Sequence, residues 1–324
     1  MIDQIFQISS KTEFNKAALD VFEFQYHNNF IYQKFCNYLK KRPGLVKAIE
    51  QIPFMPISFF KNHQIICKDK RPEIIFTSSG TSGENTSKHY VADLAVYEKS
   101  FKQGFEYFYG NISDYCILAL LPSYLEREGS SLIYMTQSLI EKSRHPDSGF
   151  YLSNTKELAQ KLAELQEKRQ KTILLGVSYA LLDMAKTHPV AIPDAIIMET
   201  GGMKGRGKEL VRNELHSKLC KGFGVSRIHS EYGMTELLSQ AYSKGEGLFK
   251  CPPWMNVFLR DINDPLSVSN KNTSGAINII DLANIFSCSF IATDDLGKKQ
   301  ADNTFEITGR FDISDTRGCN LLMF

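Results

Sequence analysis

The chain has 324 residues, 43% of them hydrophobic and 23% charged, which is ordinary for a globular protein and excludes a mostly disordered chain. Lys and Arg number 38 against 36 Asp and Glu, and the net charge of +2 gives no electrostatic case for nucleic acid or an anionic membrane as partner. At roughly 150 residues per domain, the length fits two domains or one large unit with subdomains. The apolar runs 115–121 and 172–185 fall short of the roughly 20 residues of a spanning helix. The first residues lack the basic start and apolar stretch of a secretory signal. The seven cysteines, at 36, 67, 116, 220, 251, 288 and 319, contain no CxxC pair. This predicts a reducing, cytoplasmic setting without disulfides or a zinc module.

In chain order, the spacing predicts a helix over Thr12 to Lys40, broken afterwards by Pro43, Pro53 and Pro56. A short β-rich run, Glu73 to Phe76, leads directly into Thr77-Ser-Ser-Gly-Thr-Ser-Gly83. Beyond it the periods alternate. A helix over Asp93 to Tyr109 precedes a buried strand over Tyr115 to Leu121. A helix over Thr155 to Gln170, with Asn154 as cap and Glu157 three residues on, precedes a strand over Thr172 to Val177. A strand over Ala195 to Glu199 runs toward Gly201-Gly202 and is followed by a helix over Gly207 to Cys220. A strand over Arg227 to Ser230 leads into Glu231-Tyr-Gly-Met-Thr-Glu236. Such alternation predicts an α/β fold with a mainly parallel sheet flanked by helices. Strand-like runs at Val257 to Arg260, Gly275 to Asp281 and Ser287 to Ile291 predict a β-rich portion toward the C-terminus. The expected division is one large domain, with subdomains near 1–190, 191–245 and 246–318 and a tail over 319–324.

Four segments can carry chemistry. The loop after residue 76 combines glycines, which let backbone N–H groups converge, with hydroxyls that add donors, a good anion cradle. It is not a Walker A loop, and an ordinary polar turn has the same composition. In the second segment, Thr235 beside Glu236 can serve one phosphate site, the Thr as donor and the Glu as ligand of Mg²⁺. In the third, Thr293-Asp-Asp-Leu-Gly297 reads as a turn whose Asp295 can accept from a ribose diol. The fourth joins Gly309-Arg310-Phe311-Asp312 to Arg317-Gly-Cys319-Asn320. Arg310 can bind phosphate with two donors, and Cys319 is either a thiolate nucleophile favoured by nearby cations or a buried structural cysteine.

Taken in order, Ser78-Ser79-Gly80-Thr81-Ser82-Gly83, Tyr232-Gly233-Met234-Thr235-Glu236, Thr293 to Gly297 and Gly309 to Asp312 resemble the adenylate-forming superfamily. Within it, Ser87-Lys88-His89-Tyr90-Val91, Gly201-Gly202-Met203-Lys204-Gly205-Arg206, His229 to Gln240 and the closing Arg317 to Leu322 are similar to the acyl-protein synthetases of bacterial bioluminescence. That family is related to phenylacetate–CoA ligases. The resemblance implies the large-domain fold of the superfamily without its C-terminal lid.

The implied chemistry is ATP- and Mg²⁺-dependent activation of a carboxylic acid, by analogy a fatty acid, as acyl-adenylate, followed by transfer to a thiol. Ser78, Ser79, Gly80, Thr81, Ser82 and Gly83 would hold the departing phosphates, with Lys88 nearby. Gly201 and Gly202 would lie against the adenine. Of Glu231, Tyr232, Gly233 and Thr235, Tyr232 would stack on the base and Thr235 would hold the α-phosphate. Glu236 would hold the metal, Asp295 the ribose, and Arg310 would add positive charge. Lys88 stands five residues past Gly83, further than usual in the superfamily. With no lid lysine, either Lys88, Lys204, Arg206 or Arg310 takes its place, or the site is slow or needs a partner. The family also implies that Cys319 is acylated and serves a reductase or acyl-carrier partner. Its tether from Asp312 spans at most roughly 25 Å. Segments 122–125 and 129–132 and Trp254 are candidates for the acyl pocket, and His229 for a structural role. Two other readings stay open: an acyl–CoA or carrier-protein ligase, and a nucleotide-binding scaffold without catalysis.

Overall fold

The computed structural model describes residues 1–78, 86–122, 129–152, 154–201, 210–262, 264, 266–267 and 273–310. The elements begin with α1 (Ile2–Ile5), α2 (Lys11–Asn28), α3 (Phe30–Tyr38), β1 (Met55–Pro56), α4 (Phe59–Asn62), β2 (Ile74–Thr77), β3 (Lys88–Val91) and α5 (Leu94–Tyr109). Next come β4 (Cys116–Leu120), α6 (Ser131–Ser143), β5 (Gly149–Tyr151), α7 (Thr155–Glu167), β6 (Thr172–Val177), α8 (Ser178–Thr187), β7 (Ile196–Thr200), α9 (Arg212–Phe223) and β8 (His229–Tyr232). The chain continues through β9 (Ala241–Ser243), β10 (Phe249–Lys250), β11 (Met255–Arg260), β12 (Ser274–Asp281), β13 (Phe290–Lys299) and β14 (Phe305–Arg310).

Two compact units form. The first gathers Met1–Glu73, His89–Ala92 and the chain from Pro253 onward; the second holds Ile74–Lys88 and Asp93–Pro252.

In the second unit, β5, β4, β6, β7 and β8 pair in parallel in that order, and β9 and β10 follow antiparallel. Strands β4 (CILAL) and β6 (TILLGV) are buried at every position. Helices cover both faces of such strands, so they read as unbroken apolar runs rather than alternations. The helices supply matching stripes: Leu158, Leu162 and Leu165 from α7, Leu181 and Met184 from α8, and Leu215, Leu219 and Phe223 from α9 join Leu118, Leu174 and Ile197 in one core. Asp93 caps α5, accepting from Val96 N–H.

In the first unit, β11, β12, β13 and β14 form an antiparallel meander, with β1 parallel to β13. Phe22, Tyr32 and Phe54 pack around Phe290. Gln25 on α2 donates to the carbonyls of Asn284 and Ile285. Trp254 is buried, edge-on to Phe6.

Several expected elements are corrected. The helix over Thr12 to Lys40 is two helices. Asn29 breaks it, buried and extended, because its side chain accepts from Tyr32 N–H to start α3 and donates to the Ser287 carbonyl. Asn154 is the N-cap residue of α7 as expected, with its side-chain amide donating to Glu157, and the helix stops at Glu167 rather than Gln170. Helix α9 starts at Arg212 and runs on to Phe223, rather than spanning Gly207 to Cys220. The strand expected over Arg227 to Ser230 runs over His229–Tyr232, and so takes up Glu231 and Tyr232. The largest change is at Thr293 to Gly297. That segment is no turn but the middle of β13, where Asp295 pairs with Arg310 and Leu296 with Gly309. The ladder to β12 shifts register between Ala276 and Asn278, and a bulge there lets polar residues ride within a buried strand.

Candidate active site

The strand order β5-β4-β6-β7-β8 reverses between β4 and β6. Open α/β sheets bind ligands beyond the carboxyl ends of their strands, at such a reversal. At that edge lie Ser178 after β6, Gly201 after β7, and Gly233 after β8. The segments 123–128 and 202–209, which follow β4 and β7, lie outside the described residues; they include Gly202, Lys204 and Arg206.

Ser78 also belongs to this unit. Its N–H donates to the Ser87 carbonyl and its Oγ accepts from Ser87 N–H, so the two feet of the loop are tied together. Thr77 N–H donates to the Gly129 carbonyl at 2.8 Å, which draws segment 129–132 to the foot of the loop. Ser79, Gly80, Thr81, Ser82 and Gly83 lie outside the described residues. Lys88 is exposed at the start of β3.

At the end of β8, Glu231 is buried and accepts from Thr200 Oγ1 on the neighbouring strand. A Cβ at Gly233 would fall 2.5 Å from Glu231 Oε1, so any larger residue there would have to push this carboxyl aside. Tyr232 is half-buried, its ring 5.9 Å from that of Phe249. Thr235 is half-buried in the turn that follows, and Glu236 beside it is buried.

Beneath Gly201, Ser178 Oγ lies 2.7 Å from both Glu199 Oε2 and the Gly201 carbonyl. Burial pushes the Glu199 carboxyl up, but His216, Ser178, Ser230 and the charge of Arg212 outweigh it and hold the group below its ordinary value. Glu231 goes the other way. Burial first, with the Glu199 charge adding to it, pushes its carboxyl up to about 7 against the pull of Thr200. Two carboxyls on adjacent strands are thus shifted in opposite directions, because only one faces cations. His229, earlier on β8, holds Tyr109 through Nδ1 at 3.2 Å. Burial, Arg227 and Lys244 push it down to about 4, so it is a neutral structural histidine.

In the other unit, Asp295 Oδ1 lies 3.9 Å from Arg310 Nε, across β13 and β14. Arg310 is 70% exposed, and such a pair contributes little stability. Behind it, buried Arg260 donates to the carbonyls of Ile277 and Thr293 and to Asn278. This fixes the strand from which Asp295 projects. Residues 311–324, including Cys319, lie outside the described residues.

Nothing in the sequence marks Ser178, Glu199, Thr200 or Arg260 as site residues. Each sits in an ordinary strand or helix start, and its importance comes only from strand neighbours. The one available signal was the unbroken run of β7, buried from Ile197 to Thr200, which puts a Glu where an apolar residue is expected.

Among the described residues no three His, Cys, Asp or Glu side chains converge as a metal cage. A single buried carboxylate, Glu236, in a turn beside Thr235 suits Mg²⁺, which is held mainly by substrate phosphates and water with one or two carboxylates.

The family model of the acyl-protein synthetase LuxE matches residues 7–324. The chain belongs to this family of ligases. It is 28% identical over 340 residues to the long-chain-fatty-acid–luciferin-component ligase of Vibrio harveyi, covering 95% of this chain and 86% of that one. Among solved structures, a 2-hydroxyisobutyryl-CoA ligase bound to its acyl-adenylate superposes with a TM-score of 0.69, at 12% identity, over 94% of this chain and 69% of that one. ATP-bound MatB of Rhodopseudomonas palustris gives 0.55 at 16% identity, over 73% of this chain. This chain spans only 47% of MatB's length. These likenesses establish the adenylate-forming fold for the family member described here. No helix among the described residues is long and apolar enough to cross a membrane.

Proposed function

We propose that this acyl-protein synthetase family member activates a fatty acid with ATP and loads the acyl group onto its own Cys319 for delivery to a reductase. The observation that carries the reading is the family match over residues 7–324, together with a relative named a long-chain-fatty-acid–luciferin-component ligase. In the first step a carboxylate oxygen attacks the α-phosphorus and pyrophosphate leaves. In the second, the Cys319 sulfur attacks the acyl carbonyl, AMP leaves, and the thiol proton passes to solvent.

Catalysis of this kind is positioning and charge stabilisation. The loop 78–83, Lys88 and Arg310 would hold phosphates. Gly201, Gly202 and Tyr232 would receive the base, Thr235 the α-phosphate and Asp295 the ribose. A magnesium ion at Glu236 would neutralise phosphate charge. Glu231, buried beneath Gly233, would shape the turn rather than touch nucleotide. Four of the described cysteines support a nucleophile elsewhere. Burial pushes the thiols of Cys36 and Cys67 up to about 12, that of Cys116 to about 11, and that of Cys288 higher still, which suppresses thiolate.

The test is intact mass of wild-type protein and Cys319→Ser after incubation with Mg·ATP and a panel of fatty and aryl acids. An acyl-sized gain, removed by hydroxylamine and absent from the variant, is expected. An adduct that persists in Cys319→Ser would overturn the assignment of the acceptor. No adduct, with AMP released only when CoA or a carrier protein is added, would make the protein a ligase for that thiol.

A further inference from the structure

Ser178 is the first residue of α8 and is buried, and one hydroxyl there faces two acceptors at 2.7 Å, the Glu199 carboxyl and the Gly201 carbonyl. A hydroxyl has one proton to donate and lone pairs to accept with. Its orientation therefore depends on what surrounds Glu199. His216 Nε2 on α9 stands 3.6 Å from Glu199 Oε1, at ion-pair rather than hydrogen-bond distance. That nitrogen is buried with no hydrogen-bond partner among the described residues. Arg212 on the same helix adds its charge, and Ser230 on β8 also favours the ionised form. Three elements thus converge on one carboxyl, and through Ser178 they reach a single backbone carbonyl. Gly201 itself is exposed, with φ of +64°, a left-handed turn that many nearby conformations could replace. A peptide group is planar, so holding its oxygen fixes the orientation of the whole group.

We infer that Ser178 is a positioning residue for the nucleotide: its one proton, shared between the Glu199 carboxylate and the Gly201 carbonyl, ties that carbonyl to β7. This rests on the reading above that Gly201 and Gly202 receive the adenine. The anchor sets the turn before nucleotide arrives, so its loss weakens ATP capture without changing the chemical step. Losing one hydrogen bond of this kind corresponds to about a tenfold change in affinity.

Two readouts test it. Hydrogen exchange of the peptide spanning 196–201 reports the turn without any need for activity. ATP-dependent pyrophosphate exchange gives KM for ATP and kcat. Ser178→Ala is expected to speed amide exchange in that peptide and to raise KM for ATP about tenfold, with kcat within about twofold. Glu199→Gln should leave both readouts at their wild-type values, because its amide can donate to Ser178 Oγ and leave the serine proton to the carbonyl. Unchanged hydrogen exchange in Ser178→Ala overturns the anchor. So does a lowered melting temperature with KM unchanged, which marks a purely structural serine. If wild-type protein exchanges pyrophosphate with no acid, the nucleotide reading falls, and hydrogen exchange alone still decides the anchor.

Discussion

The edge of the parallel sheet and the β13–β14 pair carry the same kinds of side chain in opposite settings. At the sheet edge, Glu199 and Glu231 are buried, and each is satisfied by a hydroxyl from a neighbouring element. On the β13–β14 pair, Asp295 faces an arginine that is 70% exposed. Burial turns a carboxyl into a structural part whose charge state affects stability, because desolvation is severe there. Exposure leaves the charge screened by water, and its use must come from a ligand. The first region shapes backbone; the second presents side chains.

The strongest way to break this contrast is Gly233→Ala. The added Cβ would press on Glu231 Oε1 at 2.5 Å and displace the turn that carries Thr235 and Glu236. Misplacement of about 1 Å costs on the order of 100-fold in rate. Pyrophosphate exchange should fall by about that factor; a variant within about threefold of wild type would show that the turn has slack.

A titration sharpens the contrast. The Glu231 carboxyl is raised from 4.5 to about 7, so the folded state holds a proton that the unfolded state has lost. Stability should therefore fall as pH rises from 4.5 toward 7, by about 3 kcal/mol in all. His229 is lowered from 6.5 to about 4. Its contribution is present above 6.5 and is lost as pH falls through that window, so the two slopes partly offset. Urea denaturation across this range should show Glu231→Gln gaining on wild type as pH rises, and His229→Gln losing on it. Parallel curves for all three proteins would mean that neither group is held neutral.

The smallest effect is expected at Arg310. Arg310→Ala should change stability by less than about 1 kcal/mol, while KM for ATP rises. A large drop in melting temperature would mean that the exposed pair is structural after all.

How much of this was legible in the sequence follows from the range of the interactions. Strands β4, β6 and β7 announced themselves because burial on both faces leaves an apolar run, and α5 and α7 because one face repeats every three or four residues. The break at Asn29 was hidden, since its reason is a carbonyl at Ser287. Thr293 to Gly297 looked like a turn because Asp and Gly favour turns locally; pairing with β14 overrides that preference. The cradle expected at 77–83 from its glycines and hydroxyls falls mostly on residues outside those described. The groups beneath the neighbouring turns were not legible, because Thr200, Ser178 and Glu199 gain meaning only from partners on other strands and helices.

The path of the chain also sets an order of assembly on the ribosome. The second unit is built almost entirely from one continuous stretch, Asp93–Pro252, and can close as soon as that stretch emerges. Helix α2 cannot settle so early, for the bond from Gln25 to the Asn284 carbonyl joins residues 259 positions apart. At roughly 5–20 residues per second, that is a wait of about 10–50 s. Phe14, Val21 and Phe22, all buried in the finished protein, stay uncovered for that time. A nascent chain stalled between Pro252 and β12 would thus carry one finished unit and one sticky helix, the form in which chaperones would meet this protein.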